Sequence, residues 1–209
     1  MNKLPSLILG VVAAFGVSWA FLILYPYVHL GHLQPYIDQN SGDPFPPPLS
    51  GLAVEGRRVY AANGCVTCHT QQVRQAPQFP DIGQNLGPRP LVARDYLREQ
   101  PVFLGSVRLG PDLANVGLRS TDRDWFHCHL YEPAAMVPGS IMPSYRFLYE
   151  MRKIQGQRSD RAVRGLVGSH APPPGYEVLP THDAEALVAY LLSLRHNYPL
   201  PEAQLPPKP

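Results

Sequence analysis

Gly64-Cys65-Val66-Thr67-Cys68-His69 is the stretch that decides the fold of this 209-residue chain. Two thiols three residues apart on one helical turn can add to the two vinyl groups of a haem, and the next imidazole can then ligate the iron. The stretch therefore predicts one covalently bound haem c, attached through Cys65 and Cys68 and ligated by His69. Because 25 Pro and 17 Gly limit regular structure, we expect a loop-rich domain whose core the haem completes.

Two other kinds of site use a pair of cysteines at this spacing. A thioredoxin-like redox pair lies near a βαβ pattern, and the sequence around Cys65 has no strand-rich segment. A structural zinc site needs two further ligands at matching spacing, and none follows nearby. The third cysteine, Cys128, makes an odd number, which does not suit a disulfide framework. The haem interpretation is therefore preferred.

The N-terminal region is apolar over a length that suits a membrane. Leu7 to Val28 forms a stretch of 22 residues without a charged side chain, and a helix of that length spans about 33 Å, against a bilayer core of about 30 Å. Lys3 precedes the stretch and the next basic residue is Arg57, so the positive-inside rule places the N-terminus in the cytoplasm. We predict a transmembrane anchor at 1–28.

A cleaved signal peptide is the alternative to a retained anchor, because Ser18-Trp19-Ala20 offers a small-x-small cleavage site. The apolar stretch continues past this site, however, and exceeds the roughly 7 to 15 apolar residues of a signal peptide. Covalent haem attachment takes place on the exported side of bacterial-type membranes. Both arguments predict a single-pass protein of the bacterial inner membrane with its haem domain on the periplasmic side.

Composition limits the size and the partners of the chain. With 44% hydrophobic and 16% charged residues, it can form one anchor and one globular domain of ordinary size. The formal net charge is only +2 and the basic residues are dispersed, which argues against nucleic acid as a partner. We therefore predict a Pro-rich linker at 29–50, a mono-haem domain at 51–198 and a Pro-rich, extended tail at 199–209.

Within the domain, capping and periodicity predict helices separated by a long inserted loop over residues 70–109. The first helix spans Leu52 to Asn63, carries Val54, Tyr60 and Ala61 towards the core, and stops at Gly64. The other three predicted helices are one from Thr121 to about Tyr131, one from Phe147 to Gln155, and one capped at Thr181 that runs to about Leu194.

The sixth iron ligand decides whether the haem carries electrons or binds a gas. Met142 lies in Pro138-Gly139-Ser140-Ile141-Met142-Pro143, which cannot be regular helix and can cross the far face of a haem as a loop. Met136 suits a packing role, and Met151 repeats with apolar neighbours at helical spacing, which is typical of a core position. We therefore predict His69 and Met142 as the axial ligands.

The remaining polar residues around the predicted site are weaker candidates for metal binding. His127 and His129 are two apart on a predicted helix and cannot grip one metal as an i, i+4 pair would, so we expect surface imidazoles around a packed Cys128 thiol. A backbone carbonyl of the Gly110-Pro111 turn can accept a hydrogen bond from the Nδ1 of His69, and Leu113 would then pack on the haem.

Basic residues dominate the segment from Arg146 to Arg164. A solvated face is the simpler interpretation of this segment. The alternative is a docking site for an acidic partner or for the haem propionates.

Taken together, these residues resemble the single-haem c subunit, subunit II, of the cbb(3)-type cytochrome c oxidases. The resemblance covers most of residues 52–194, in order. It departs from the family pattern at three places: Ala76 to Leu104, Leu118-Arg119-Ser120, and Cys128. It rests on these blocks: Glu55–Tyr60, Gly64–Arg74, Gly105–Gly117, Trp125–Pro133, Val137–Pro138, Met142–Tyr145 and Asp183–Leu191.

The resemblance implies a mainly α fold, with a class I cytochrome c domain that contains a long loop insertion and follows one transmembrane helix. It implies that His69 and Met142 ligate the iron. It also implies electron transfer from a donor cytochrome to a haem-copper catalytic subunit that reduces oxygen, alongside a further c-type cytochrome subunit.

Three other functions remain open from the sequence. The chain is also compatible with the small c-type subunit of a nitric oxide reductase or with a stand-alone membrane-anchored electron carrier. A haem sensor or peroxidase would need an open sixth site, against which Met142 argues.

Overall fold

The structure is a computed structural model that describes residues 3–206. The first two residues of the predicted anchor and the last three of the predicted tail therefore lie outside the described residues. The chain divides into two compact units. The first contains the residues up to Pro47 together with Val92–Glu99, and the second contains Pro48–Leu91 together with the residues from Gln100 onward.

The first unit begins with helix α1, Leu4–Leu30, which contains no charged side chain. Two α-helical parts, Leu4–Trp19 and Tyr25–Leu30, are joined by a π-helical turn at Ala20–Leu24. Among the described residues, α1 is the one helix long and apolar enough to cross a membrane. Its length and composition agree with the predicted membrane anchor.

The predicted Pro-rich linker contains some regular structure. Strands β1 (Tyr36–Ile37) and β2 (Pro44–Phe45) form a short antiparallel ribbon. Part of the long insertion, with a 3-10 turn at Ala93–Tyr96, belongs to the first unit, and Arg98 donates from Nε to the Pro46 carbonyl at 2.8 Å. The predicted insertion therefore contributes to two units.

The second unit is mainly α-helical, as predicted. Its helices are α2 (Gly51–Ala62), α3 (Val116–Arg119), α4 (Arg123–Tyr131), α5 (Pro133–Met136) and α6 (His182–Ser193). Strands β3 (Tyr149–Lys153) and β4 (Tyr176–Pro180) form an antiparallel ribbon. The 3-10 turns of this unit lie at Cys65–Thr67, Arg146–Leu148 and Gly168–His170.

Helices α2 and α6 make the closest helix packing of the unit. A Cβ atom on Gly56 would lie 1.8 Å from the carbonyl oxygen of Ala186, so only glycine allows the two backbones to approach this far. The rings of Tyr60 and Tyr190 pack edge to face at 5.4 Å beside the crossing. This crossing fixes the helix that leads into the Cys-x-x-Cys-His stretch.

The predicted stripe on the last helix is confirmed, since its four residues are buried: Leu187, Tyr190, Leu191 and Leu194. The predicted face of the first helix is only partly correct. Tyr60 is buried, but Val54 and Ala61 are exposed. Because α2 packs on α6 through Gly56, its buried face follows Ala53, Gly56 and Tyr60 instead.

The predicted helix from Phe147 to Gln155 is wrong. This segment forms β3, which pairs with β4, a strand more than 20 residues later in the chain. Met151 lies opposite Val178. The helical period therefore does not apply, and Met151 is 53% exposed rather than a core residue.

The extended tail predicted from residue 199 is also wrong for the part that the structure describes. Leu200 is fully buried, and two backbone hydrogen bonds link it to Ala203 in a closed turn. The buried Arg89 guanidinium donates from Nε to the carbonyl of Tyr198 at 3.1 Å, which holds the start of the tail against the insertion.

Candidate haem site

The Cys-x-x-Cys-His stretch follows α2 through a left-handed glycine. Gly64 has φ +67 and ψ 23, a conformation that favours glycine, so it ends the helix as predicted. The chain then turns tightly, with the amide of His69 donating to the carbonyl of Cys65 at 3.0 Å. One turn of backbone thus carries both thiols and the imidazole.

This turn lies at the wall of a cavity of about 1010 Å³ inside the second unit. Other parts of the wall come from α2, α4, α6, the segment after Leu109 and the loop before Tyr145. All six residues predicted for the site line this one cavity: Cys65, Cys68, His69, Pro111, Leu113 and Met142. Burial raises the pKa of the Cys65 thiol to about 11, so this thiol is protonated at neutral pH.

The imidazole of His69 is held by the Gly110-Pro111 turn, as the sequence predicts. Its Nδ1 donates to the Pro111 carbonyl at 2.7 Å, which leaves the Nε2 lone pair available for a metal. A Cβ on Gly110 would lie 2.2 Å from Cε1 of the ring, so the turn packs directly on the imidazole. The amide of Gly110 donates to the carbonyl of Cys68 at 3.0 Å and closes the arrangement.

Behind this turn lies a buried carboxylate that the sequence analysis missed. Asp112 is fully buried and accepts hydrogen bonds from the hydroxyl of Thr70 at 2.5 Å and from the amides of Gln72 at 2.7 Å and Ala114 at 2.9 Å. Arg108 donates to the same carboxylate at 3.4 Å. The Asp112 side chain therefore ties the residues after His69 to the residues after Pro111.

A second buried carboxylate extends this network into the insertion. The fully covered Asp81 accepts from Arg108 at 2.8 Å and from Arg74 at 3.2 Å. The Arg108 guanidinium lowers the pKa of Asp81 well below its usual range, against the opposing effect of burial, and Arg74 adds to the lowering. The first part of the insertion is thereby fastened to the haem-binding turn.

Met142 lies in the loop that the sequence analysis assigned to the far side of the haem. Its amide donates to the Ser140 hydroxyl at 3.3 Å, and Gly139 has φ +81, so the segment is irregular as predicted. Among the methionines that the structure describes, Met142 alone lines the cavity. Met136 packs against the hydrophobic core, in agreement with its predicted packing role.

The prediction for the two histidines around Cys128 is wrong in their exposure. His127 is 5% exposed and its Nδ1 lies 3.2 Å from the hydroxyl of Tyr149, because α4 is packed on both faces. The two rings do lie on different sides of the helix, as predicted, and His129 lines the cavity. The Cys128 thiol is buried, as predicted, and donates to the carbonyl of Arg164 at 2.7 Å.

His129 is a site residue that the sequence analysis missed. Its ring stacks on Trp125 at 4.8 Å, and its buried Nδ1 has no hydrogen-bond partner within the described residues. Burial lowers the pKa of His129, and the nearby His69 lowers it further. The i, i+4 spacing of Trp125 and His129 on one helix was the signal that could have indicated it.

These features fit a c-type haem. The cavity offers two thiols on one turn, an imidazole fixed through Nδ1 and a thioether on an irregular loop. The Nδ1 of His129, which has no partner among residues 3–206, provides a polar atom at the wall that a bound group can satisfy.

Three of the six basic residues from Arg146 to Arg164 lie beside carboxylates of this chain. Arg146 forms an ion pair with Glu132, Arg152 with Glu177, and Arg161 lies 3.8 Å from Glu185. This pairing agrees better with a solvated face than with a docking site, and the docking site remains a prediction.

The sequence matches the model of one known protein family. The model of the family described as cytochrome c oxidase, mono-heme subunit/FixO matches residues 34–166, which is more than half of the chain. A comparison with curated proteins finds no significant match. The matched range contains the turn at Cys65, the Gly110-Pro111 turn and Met142. The chain therefore belongs to the FixO family of mono-haem subunits of cytochrome c oxidase.

Proposed function

We propose that this chain is the membrane-anchored electron-transfer subunit of a cbb(3)-type cytochrome c oxidase, with one haem bound covalently through Cys65 and Cys68. His69 and Met142 would hold its iron. The observation that carries the proposal is the single cavity lined by both thiols, the Nδ1-bonded imidazole and one thioether. The oxygen-reducing site lies in another subunit, so this chain contributes electron delivery to the enzyme complex.

Bound in the cavity, the haem supplies an iron that accepts and releases one electron. The residues around it set the conditions for that transfer. The Pro111 carbonyl keeps the proton of His69 on Nδ1 and makes the imidazole a stronger donor. A Met thioether opposite a His raises the reduction potential of a haem, which suits delivery of electrons towards oxygen.

The wall of the cavity is largely apolar. Leu113 and Leu130 are apolar parts of this wall, and an apolar, low-dielectric surrounding tunes the potential of a haem. With both His69 and Met142 on the iron, no position would remain for an external ligand. This arrangement favours electron transfer over gas sensing or peroxidase chemistry.

We propose that the electrons come from a donor cytochrome and pass to the haem-copper catalytic subunit, within a complex that includes a further c-type cytochrome subunit. The apolar helix α1 anchors the chain in the bacterial inner membrane. Its N-terminus is cytoplasmic and its haem domain periplasmic. The family match favours this assignment over the small subunit of a nitric oxide reductase.

Purification of the native complex in mild detergent tests the proposal. The chain is expected to copurify with a haem-copper subunit, and counting of haem c, haem b and copper should give one haem c for this chain. A nitric oxide reductase catalytic subunit in the purified complex, or a chain that purifies alone, would contradict the assignment. Retention of the haem on this chain after denaturing electrophoresis separately tests its covalent attachment.

A further inference from the structure

Glu132 lies between helices α4 and α5, at the point where Pro133 begins the second helix. Its backbone is extended, with φ −148 and ψ 87, because the residue before a proline is disfavoured in the helical region. Its amide still donates to the carbonyl of Cys128 at 2.8 Å. The side chain of Glu132 therefore starts from a backbone position that the end of α4 fixes.

The carboxylate of Glu132 binds the residues that follow Met142. Its side chain is 12% exposed, and it accepts hydrogen bonds from the hydroxyl of Ser144 at 3.2 Å and from the guanidinium of Arg146. The Nδ1 of His170 lies 3.8 Å away. Burial raises the pKa of the Glu132 carboxyl, but the bonds from Arg146 and Ser144 lower it by more, so the group is ionised at neutral pH.

The loop that carries Met142 has few other attachments. Its hydrogen bonds are local, from the amide of Ser140 to the carbonyl of Val137 at 3.0 Å and from the amide of Met142 to Ser140. Within the described part of the chain, no hydrogen bond joins residues 138–143 to another segment. The first bond after them, besides those of Glu132, runs from the amide of Tyr145 to the carbonyl of Leu130 at 2.8 Å.

Within the described residues, the loop is thus held at its C-terminal end by the carbonyl of Leu130, by a hydrogen bond between the side chains of Tyr145 and Cys65, and by the buried carboxylate of Glu132. Hydrogen bonds to an ionised acceptor are shorter and stronger than neutral ones. A thioether bonds iron only if its loop holds the sulfur in place, because Met is flexible at three side-chain bonds. The carboxylate is therefore the charged group that binds the residues directly after Met142.

We propose that Glu132 is a positioning residue for Met142, whose carboxylate holds Ser144 and Arg146 and thereby keeps the thioether on the haem iron. The proposal rests on the proposed function, in which Met142 is the sixth ligand. Without the carboxylate, the loop samples positions in which the sulfur leaves the iron. External ligands then reach the iron faster and the reduction potential falls.

The chain offers a matched control in Glu177. Its side chain is 1% exposed and accepts from Nε of Arg152 at 2.8 Å and from the amide of Ser159 at 2.8 Å. Neither partner belongs to the loop that carries Met142. Glu177→Gln therefore removes a buried carboxylate of similar bonding without touching the proposed ligand loop.

The experiment uses the full-length, haem-loaded chain in mild detergent, as wild type, Glu132→Gln and Glu177→Gln. Three quantities are measured: the methionine-to-iron charge-transfer band of the ferric protein, the reduction potential, and the rate of cyanide binding to the ferric haem. Glu132→Gln is expected to weaken the band, lower the potential and speed cyanide binding about tenfold, as the loss of one charge-assisted hydrogen bond allows. Glu177→Gln should leave all three quantities at wild-type values.

Ser144→Ala, which removes only one of the bonds, is expected to shift the same quantities in the same direction by less, and it carries the test if Glu132→Gln does not accumulate. The proposal is overturned if Glu132→Gln, or Ser144→Ala in its place, matches wild type in the band and in cyanide binding. It is also overturned if Glu177→Gln changes these quantities equally. A wild type that lacks the charge-transfer band would instead contradict methionine ligation itself, and the positioning role with it.

Discussion

On the His69 side of the cavity, Asp112 alone accepts four hydrogen bonds and is joined through Arg108 to a second buried carboxylate, Asp81. On the Met142 side, the loop is held at its C-terminal end, by Glu132, by the carbonyl of Leu130 and by the hydrogen bond between Tyr145 and Cys65. Both sides use buried carboxylates. On the His69 side, Asp112 directly follows Pro111, and its carboxylate binds Thr70, which directly follows His69. On the Met142 side, the carboxylate of Glu132 binds Ser144 and Arg146, which follow Met142.

The two sides of the cavity therefore differ in how firmly hydrogen bonds and packing fix them. The imidazole is oriented by the Pro111 carbonyl and by close packing on Gly110 before any iron is bound. The thioether of Met142 lies on a loop that is held mainly at its C-terminal end. We therefore expect variants on the His69 side to change the free energy of unfolding most, and variants on the Met142 side to change ligand exchange most.

The largest effect is expected from Asp112→Ala. This change leaves the Thr70 hydroxyl, two buried amides and the Arg108 guanidinium without their acceptor, which should cost about 4 kcal/mol of unfolding free energy. Denaturant unfolding of the full-length chain, followed by circular dichroism, measures the loss. Glu132→Ala leaves two side-chain donors, Ser144 and Arg146, without their acceptor, and it should lower the unfolding free energy by about half as much. Equal losses from the two variants would contradict the comparison.

Asp81→Asn tests the outer part of the network and should be the next most destabilising, by about 3 kcal/mol at pH 7. Because the pKa of Asp81 is lowered in the folded chain, its contribution is present above the unfolded pKa of about 3.9 and is lost as the pH falls through the folded pKa. The difference between wild type and variant, from unfolding curves at several pH values, should therefore shrink below about pH 4. A difference that stays constant down to low pH would exclude the ion-pair explanation.

Gly110→Ala places a methyl group against the imidazole, where a Cβ would lie 2.2 Å from Cε1 of His69. Such overpacking should cost about 2 kcal/mol, and the displaced ring should change the reduction potential. The control is Gly51→Ala, since a Cβ at Gly51 meets nothing within 4 Å. Thermal unfolding and potentiometry on both variants measure the effects. A Gly110→Ala protein with the wild-type potential would argue against close packing of the turn on the ring.

The smallest effect is expected for chemical modification of Cys128, which measures local opening of helix α4. Burial raises the pKa of its thiol to about 11, so only about one molecule in a thousand is a thiolate at pH 8. Iodoacetamide should leave Cys128 unmodified in the native wild type and label it after unfolding, as peptide mass spectrometry would show. Rapid labelling of the native protein would mean that α4 opens locally.

Sequence reasoning predicted the parts of this protein that local chemistry determines. The apolar run in α1, the stop at Gly64 and the buried stripe of α6 depend on neighbouring residues. The hydrogen bond from His69 to the Gly110-Pro111 turn was also predicted, because a metal-ligating imidazole usually donates its other ring N–H to a carbonyl. The cavity lining of Met142 agrees with its predicted ligand role, which stays a prediction.

Long-range partners explain what the sequence did not predict. The segment after Phe147 is a strand because β4, more than 20 residues later, pairs with it. The carboxylate of Asp112 serves residues 40 positions earlier, and a single sequence gives no sign of such a pairing. His129 was missed because burial of α4 on both faces arises from packing rather than from its own pattern.

The most direct test of the central claim is the coordination of the haem in the full-length wild type compared with Met142→Ala. We expect a low-spin wild-type haem that shows the methionine-to-iron charge-transfer band and does not bind carbon monoxide when reduced. Met142→Ala should lose the band and bind carbon monoxide readily. A wild type that already binds carbon monoxide, with a Met142→Ala spectrum no different from it, would contradict the account.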